Sequence, residues 1–258
     1  MDYRTGIVLS GGGARGFAHA GALKALNEQG IYPEFLSGVS AGALAGTLYA
    51  DGYKPDEILD IFLHIDLFKL LKFTGFRLGL LQPDGLRKVL ENTLRAKTFE
   101  ELKMPMVIGC TDIDLAETTY FSEGKILDAL IASMAFPFLI KPQTIDGHQY
   151  VDGGLMNNLP VQPLVGRCER IIGIHVNPLH SAQSLKGTRN YFDHVIHLGL
   201  RANMLPHIGL CDIFIEPPDL GNYHLLKISS AKEIFQMGYD FTSKHLKNYP
   251  DLRPFQRP

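Results

Sequence analysis

The sequence has almost no excess charge of either sign. Its 258 residues carry 25 Lys and Arg against 27 Asp and Glu, a formal net charge of -2. A nucleic-acid partner leaves a basic patch or stripe in the composition, so none is expected. Cysteine is scarce. Cys110, Cys168 and Cys211 are odd in number and far apart, which argues against a disulfide framework and for a reducing, cytoplasmic setting. Each is expected in or beside the core as a small hydrophobe. No charged leader with an apolar stretch and cleavage site precedes the first strand. No run is long and apolar enough to cross a bilayer. Calcium-loop patterns and clustered metal ligands are also missing, so neither metal nor cofactor is expected.

With 45% apolar and 20% charged residues, the chain reads as an ordinary globular protein. No repeat, low-complexity tract or linker divides it. One domain over residues 1–258 is the simplest reading, a length that α/β folds use as one unit and that buries a full core without staples. Gly6–Ser10 is an apolar run ending in glycines and reads as a buried strand. Arg15–Gln29 reads as a helix, with Ala22, Leu23, Ala25 and Leu26 on one face and Gly30 as terminator. Phe35–Gly38 reads as a second strand, followed by a small-residue helix to about Ala50. Met106–Thr111 and Arg170–Val176 are further strand candidates, and Thr118–Phe121 alternates as a half-exposed strand does. Asp146-Gly147 marks a tight hairpin. Helical patterns cover Pro55–Ile65, Pro83–Arg95, Lys125–Ala135, Tyr191–Met204 and Ser229–Leu246. Strands alternating with helices predict a layered α/β fold with a largely parallel sheet.

Two motifs sit at strand ends about one βαβ unit apart. Ser10-Gly11-Gly12-Gly13-Ala14-Arg15-Gly16 joins a strand to a helix. A plain turn needs one glycine; three in a row let the backbone approach another group closely. Amides at a helix N-terminus hold a phosphate or the oxyanion of a tetrahedral intermediate. Gly11, Gly13 and Gly16 also fit the dinucleotide fingerprint, but that fingerprint needs an acid near the end of the next strand. Here the strand ends in Gly-Val-Ser, and Glu34 precedes it. The second motif, Gly38-Val39-Ser40-Ala41-Gly42, is a G-x-S-x-G between a strand and a small-residue helix, the context a nucleophilic serine requires. In a right-handed crossover both strand ends lie on one edge of the sheet, which positions the glycine loop to serve Ser40.

A serine needs a base. Among ten histidines, His175 is the triad candidate, at the end of an apolar strand. Asp152 is the other, in Val151-Asp152-Gly153-Gly154, where two glycines let the carboxylate approach a neighbouring backbone.

Taken together, these residues resemble the patatin-like phospholipase family. Gly11–Gly16 is similar to its oxyanion loop and Gly38–Gly42 to its nucleophile motif. Ala132-Ser133-Met134-Ala135-Phe136-Pro137 resembles its A-S-x-A-x-P segment. Asp152-Gly153-Gly154 resembles its catalytic D-G-G, followed by Asn157-Asn158-Leu159-Pro160. Softer echoes occur at Thr111-Asp112 and Ile215–Gly221. The resemblance implies a three-layer α/β/α sandwich, Ser40 as nucleophile, Asp152 as its partner without a catalytic histidine, and oxyanion donors from Gly12 and Gly13 with Arg15 supporting them. It implies an acyl lipid or other ester as substrate. A free aspartate, with a pKa of about 3.9, is a poor base at neutral pH. The dyad therefore requires a close Ser–Asp hydrogen bond and a partly desolvated carboxylate. Two other readings stand beside this one: a non-catalytic regulatory or binding member of the same fold, and a Rossmann-type oxidoreductase. Ile58–Leu81, rich in Leu, Phe and Ile, suggests a lid or a transient membrane contact; core packing is the favoured reading, since its apolar residues keep no clean helical period.

Overall fold

The computed structural model describes residues 1–64, 72–73, 81–137, 139–178, 188–223 and 228–250. In chain order the strands are β1 (Tyr3–Leu9), β2 (Phe35–Val39), β3 (Lys72–Phe73), β4 (Leu81–Gln82), β5 (Met106–Asp112), β6 (Glu117–Phe121), β7 (Gln143–Ile145), β8 (His148–Asp152), β9 (Cys168–Ile174) and β10 (Ile213–Ile215). The helices are α1 (Phe17–Glu28), α2 (Ala41–Ala50), α3 (Pro55–His64), α4 (Asp84–Thr93), α5 (Ile126–Ser133), α6 (Thr188–Ile208) and α7 (Ala231–His245). No described helix is long and apolar enough to cross a membrane.

Strands β10, β9, β1, β2 and β5 run parallel in that order, and β8, β7 and β6 complete the sheet antiparallel. The expected mixed α/β fold with a largely parallel sheet is thus observed. The apolar runs are continuous because both faces are covered. Ile7, Leu9, Leu36, Met106, Ile108, Ile172 and Ile174 share one core with residues of α1, α2, α5 and α7. The intervening Val8, Phe35, Val107 and Ile171 point the other way, onto Leu159, Val161, Leu164 and Met204 of α6. Period-two alternation along each strand sorts the side chains into these two layers.

Local signals set the element ends. Gly30, at φ 73, stops α1, with its N–H on Asn27 O at 2.9 Å and that of Ile31 on Leu26 O at 2.9 Å. Asp146 (φ 49) and Gly147 (φ 88) form the tight β7–β8 turn, since two positive φ values match the strand twist. The expected helix from Arg15 opens as a 3-10 turn over Gly13–Gly16, and the α-helix begins only at Phe17. Within Ile58–Leu81, Ile58 and Phe62 of α3 pack into the main core, and Lys72 and Phe73 pair antiparallel with Gln82 and Leu81. Residues 65–71 and 74–80 of that segment lie outside the described residues. All three cysteines are free, Cys110 and Cys168 buried and Cys211 half-buried.

One handover in the sheet brings distant parts of the chain together. β2 pairs with β5 only as far as Val39 opposite Gly109. β6 occupies the other edge of β5, over Ile108–Asp112. β8 therefore takes over the edge that β2 leaves, with Asp152 opposite Cys110, the next residue along β5. The last residue of β8 thus meets the chain just beyond the end of β2.

Helices α1 and α7 cross with their backbones in contact. A β-carbon on Gly21 would press on Phe235 O, and one on Gly238 on Ala18 O. Gly21→Ala gains about 1 kcal/mol of helix propensity but forces this crossing apart, at a cost of about 1–3 kcal/mol for overpacking. The expected outcome is a net loss of stability, read as a lower urea midpoint.

Candidate active site

Ser40 is the hinge between β2 and α2. Its φ of 53 and ψ of -122 place it in a backbone region that non-glycine residues rarely enter, a strain of order 1–3 kcal/mol that the surroundings must hold. Four contacts do so. The Ser40 N–H donates to Ser133 Oγ at 2.9 Å, and the Ser133 hydroxyl donates to Gly109 O at 2.7 Å. Gly42 lies so close to β1 that a β-carbon would press on Leu9 O, and one on Gly38 would lie 2.7 Å from Gly42 O. The glycines flanking the serine therefore exist for backbone approach.

Asp152 is buried, only 4% exposed. The Ser40 hydroxyl lies beside its carboxylate, near enough to act on the Asp152 pKa. The Gly154 N–H donates to Oδ1 at 2.8 Å, and the Asp152 N–H is fixed on Ala135 O at 3.0 Å. Gly153 passes against Gly109 O with no room for a β-carbon. Burial raises the Asp152 pKa to about 6, against the opposing pull of the neighbouring Ser40 hydroxyl and the Gly154 N–H.

The glycine loop lies alongside. A β-carbon on Gly11 would fall 3.4 Å from Ser40 Cβ and 2.6 Å from Asn158 Oδ1. Gly11 O is held by Asn177 Nδ2 at 3.1 Å and Ser10 Oγ at 3.0 Å. Gly12 backs onto Val176, and Gly13 is exposed at φ 52. Gly16 packs on Ala41 at the head of α2. The amides of Gly12 and Gly13 thus stand at a helix start, where N–H groups have no partner within the helix. Arg15, expected to support this region, reaches from the loop to later parts of the chain. Nε donates to Tyr223 O at 2.8 Å, Nη1 to Asn177 Oδ1 at 3.1 Å and Nη2 to Gly221 O at 3.3 Å. It braces the loop against the C-terminal part of the chain.

His175 is fully buried, with Nδ1 on Glu216 Oε1 at 2.8 Å and its ring stacked on Phe214. Burial lowers its pKa. A second buried histidine, His19, holds Ser10 O through Nε2 at 2.8 Å, and burial lowers its pKa to about 4. Both are neutral scaffold groups behind the loop, and the Ser40 hydroxyl lies beside Asp152 instead. Glu34 binds the Arg4 N–H at the opposite end of the sheet, so no acid follows β2 for a ribose. Asp112 clasps its own loop, accepting from Asp114 N at 2.9 Å and Leu115 N at 3.0 Å, with His148 Nδ1 at 3.0 Å.

Several participants carry no signal that sequence reasoning could use. Ser133 lies inside the Ala132–Pro137 motif, but its role as a bridge between Ser40 and Gly109 leaves no local trace. Asn203 of α6, which donates to Gly154 O at 2.9 Å and accepts from Asn158 N at 3.0 Å, and Asn177 belong to no motif at all.

The model of the family described as Patatin-like phospholipase matches residues 7–165. The chain belongs to this family. The matched span contains the glycine loop, Ser40 and Asp152. The chain is 31% identical over 264 residues to an uncharacterized protein of Acanthamoeba polyphaga mimivirus, covering 92% of this chain and 88% of that one. It is 31% identical over 170 residues to an NTE family protein of Mycobacterium tuberculosis (strain ATCC 25618 / H37Rv), covering 63% of this chain and 46% of that one. Lysophospholipase NTE1 of Kluyveromyces lactis is 28% identical over 297 residues, 96% of this chain but only 20% of that protein. The chain thus spans less than half of the mycobacterial and yeast relatives. The crystal structure of VipD from Legionella pneumophila aligns with a TM-score of 0.59 at 16% identity, over 96% of this chain and 67% of that one, a likeness of fold.

The raised Asp152 pKa has a consequence for stability. The folded state binds this proton more tightly than the unfolded chain, so the stability it contributes is full below about pH 4 and lost as pH rises to about 6 and beyond. A rise from 3.8 to about 6 corresponds to about 3 kcal/mol, at about 1.36 kcal/mol per unit. Asp152→Asn, which cannot ionise, should melt above wild type at pH 7.5, with the gap closing toward pH 4. Thermal melts across that range measure it.

Proposed function

We propose that residues 1–258 act as a single acyl hydrolase domain that cleaves carboxylic ester bonds of acyl lipids through a Ser40–Asp152 dyad. The observation that carries this reading is a serine at a strained strand-to-helix turn, its hydroxyl beside the buried Asp152 carboxylate and next to the glycine loop. Asp152 takes the Ser40 proton as Oγ bonds to the ester carbonyl carbon. The carbonyl oxygen becomes an oxyanion and is held by the Gly12 and Gly13 amides, with the start of α1 adding positive potential. Collapse breaks the ester C–O bond, and the leaving alkoxide takes the proton from Asp152. Water then attacks the acyl-enzyme, giving a proton to Asp152; the acyl–Oγ bond breaks, Asp152 returns that proton to Ser40 Oγ, and the carboxylic acid leaves. A carboxylate with a pKa of about 6 is ionised at neutral pH yet more basic than a free aspartate, as a general base needs to be. The family supports a lipid hydrolase, and the lysophospholipase name of the yeast relative fits a phospholipid or lysophospholipid substrate. Three free cysteines fit a reducing, cytoplasmic setting.

Ser40→Ala and Asp152→Asn are each expected to abolish p-nitrophenyl ester hydrolysis in folded protein, and a fluorophosphonate probe should label Ser40 alone. Near-normal turnover by Asp152→Asn would sink the dyad. If His175→Ala alone removed activity while preserving the fold, a triad would replace it. Because Asp152 must be ionised, kcat/KM should fall as pH drops below about 6. A pH–rate profile on a soluble ester checks this, and hydrolysis should persist in EDTA.

A further inference from the structure

The turn that follows Asp152 is capped at both ends, and one cap comes from a distant helix. Gly153–Leu155 forms a three-residue 3-10 turn. At its start the Asp152 carboxylate accepts the Gly154 N–H at 2.8 Å. Gly153 O takes the N–H groups of Met156 at 3.2 Å and Asn157 at 2.9 Å, and the turn goes no further. The carbonyls of Gly154 and Leu155 must therefore find donors outside it, in water or in another side chain. Asn203 of α6 supplies them. Its Nδ2 donates to Gly154 O at 2.9 Å and to Leu155 O at 3.0 Å, and its Oδ1 accepts the Asn158 N–H at 3.0 Å. Two carbonyls and one N–H fix which way round the carboxamide lies. A carboxylate has no donor for the carbonyls, and a hydroxyl has one donor for two of them.

Helix α6 is held where this reach is possible. Met204 is buried in the second core. Leu200 lies on the same face as Asn203 and brings Cδ2 to 3.5 Å from where a β-carbon on Gly154 would stand. That same point lies 3.0 Å from Asp152 Oδ1 and 2.9 Å from Asn158 Oδ1. Helix, turn and carboxylate thus close around one glycine with little room for a side chain. Asn158 Oδ1 also lies 2.6 Å from the place of a β-carbon on Gly11. The residue whose N–H Asn203 holds therefore lies against both Gly154 and the glycine loop. Asn203 itself stands beyond residues 7–165, the span that the family model matches.

We propose that Asn203 is a positioning residue for the hydrolase: by capping the turn after Asp152 it keeps the Gly154 N–H on Oδ1 and the carboxylate aimed at Ser40. This rests on the hydrolase reading above. Without the carboxamide, Gly154 and Leu155 turn their carbonyls to water, the turn frays, and the carboxylate loses a donor that stabilises its charge. Besides the Ser40 hydroxyl and the Gly154 N–H, the titratable group coupled to Asp152 is Cys110, opposite it on β5. Burial pushes that thiol well above its usual range, so it stays neutral. A change in the Asp152 titration therefore reports the hydrogen bonding of its carboxylate.

Asn203→Leu, of similar size without hydrogen bonds, and Asn203→Ala are compared with wild type. Leu200→Ala, which loses packing on the same turn but no hydrogen bond, is the control. Turnover of p-nitrophenyl butyrate across pH and thermal melts are measured. The Asp152 titration is followed by carbon-13 NMR of labelled carboxyl groups, with Asp152→Asn assigning the signal. Both Asn203 variants should lose about tenfold in kcat, the rate equivalent of one hydrogen bond, with KM near wild type. The Asp152 titration and the acid limb of kcat/KM should both move above the wild-type value of about 6. Leu200→Ala should lower the melting temperature and leave the titration in place. Leu and Ala both favour helix, and if one Asn203 variant does not fold, the other decides. An unchanged titration and kcat in a folded Asn203 variant overturn the proposal. So does a Leu200→Ala titration that moves as far, since packing then sets the turn. If wild type cleaves no ester while the titration still moves in the Asn203 variants, the hydrolase reading falls and the clamp on Asp152 stands.

Discussion

The edge of β5 is shared by two strands, and the site depends on that sharing. Hydrogen bonding along one strand edge admits one partner at a time. β2 holds the edge to Gly109, and β8 takes it from Cys110. Ser40 leaves one strand and Asp152 ends the other, so a serine and a carboxylate more than 100 residues apart in sequence meet at a gap of one residue in the sheet. Ser133 closes the gap by bonding both Ser40 N–H and Gly109 O. Gly153 keeps it narrow, because Gly109 O occupies the place of a side chain, and Gly42 likewise lets the start of α2 lie against Leu9 O at the end of β1.

Burial gives the acid and the histidines opposite uses. Desolvation penalises the charged form of each. For Asp152 it raises the pKa to about 6, which makes a carboxylate serviceable as a base. For His19 and His175 it lowers the pKa and leaves neutral rings that serve as fixed hydrogen-bonding struts. His19 holds Ser10 O, Ser10 Oγ receives Val176 N–H, and Asn177 holds Gly11 O. The glycine loop, made of residues with little preference of their own, takes its shape from this frame.

The two faces of the sheet do different work. One carries the thick core of α1, α2, α5 and α7, and its dense packing maintains the strain at Ser40. The other is covered by the segment after Asp152 and by α6. The thinner layer therefore contains both the chain leading out of the candidate site and an exposed apolar stripe on α6, formed by Tyr191, Val195, Leu198 and Leu205.

The local elements were legible because their causes are local. Three successive glycines after an apolar strand, G-x-S-x-G between a strand and a small-residue helix, and Asp-Gly between β-like runs each report a backbone requirement within a few residues. That sufficed for the parallel sheet, for the candidate serine and aspartate, and for the hairpin that delivers the aspartate. The 3-10 opening of α1, the turn of Arg15 toward Tyr223 and Gly221, and the roles of Ser133, Asn177 and Asn203 were not legible. The side-chain roles depend on partners between 24 and 208 residues away, and spacing along the chain holds no record of such distances. The stripe on α6 is written in the sequence as apolar residues at helical spacing, but a buried stripe and an exposed one read alike. Only the sheet, by taking Met204 and Leu200 inward, decided which face of that helix was left to the outside.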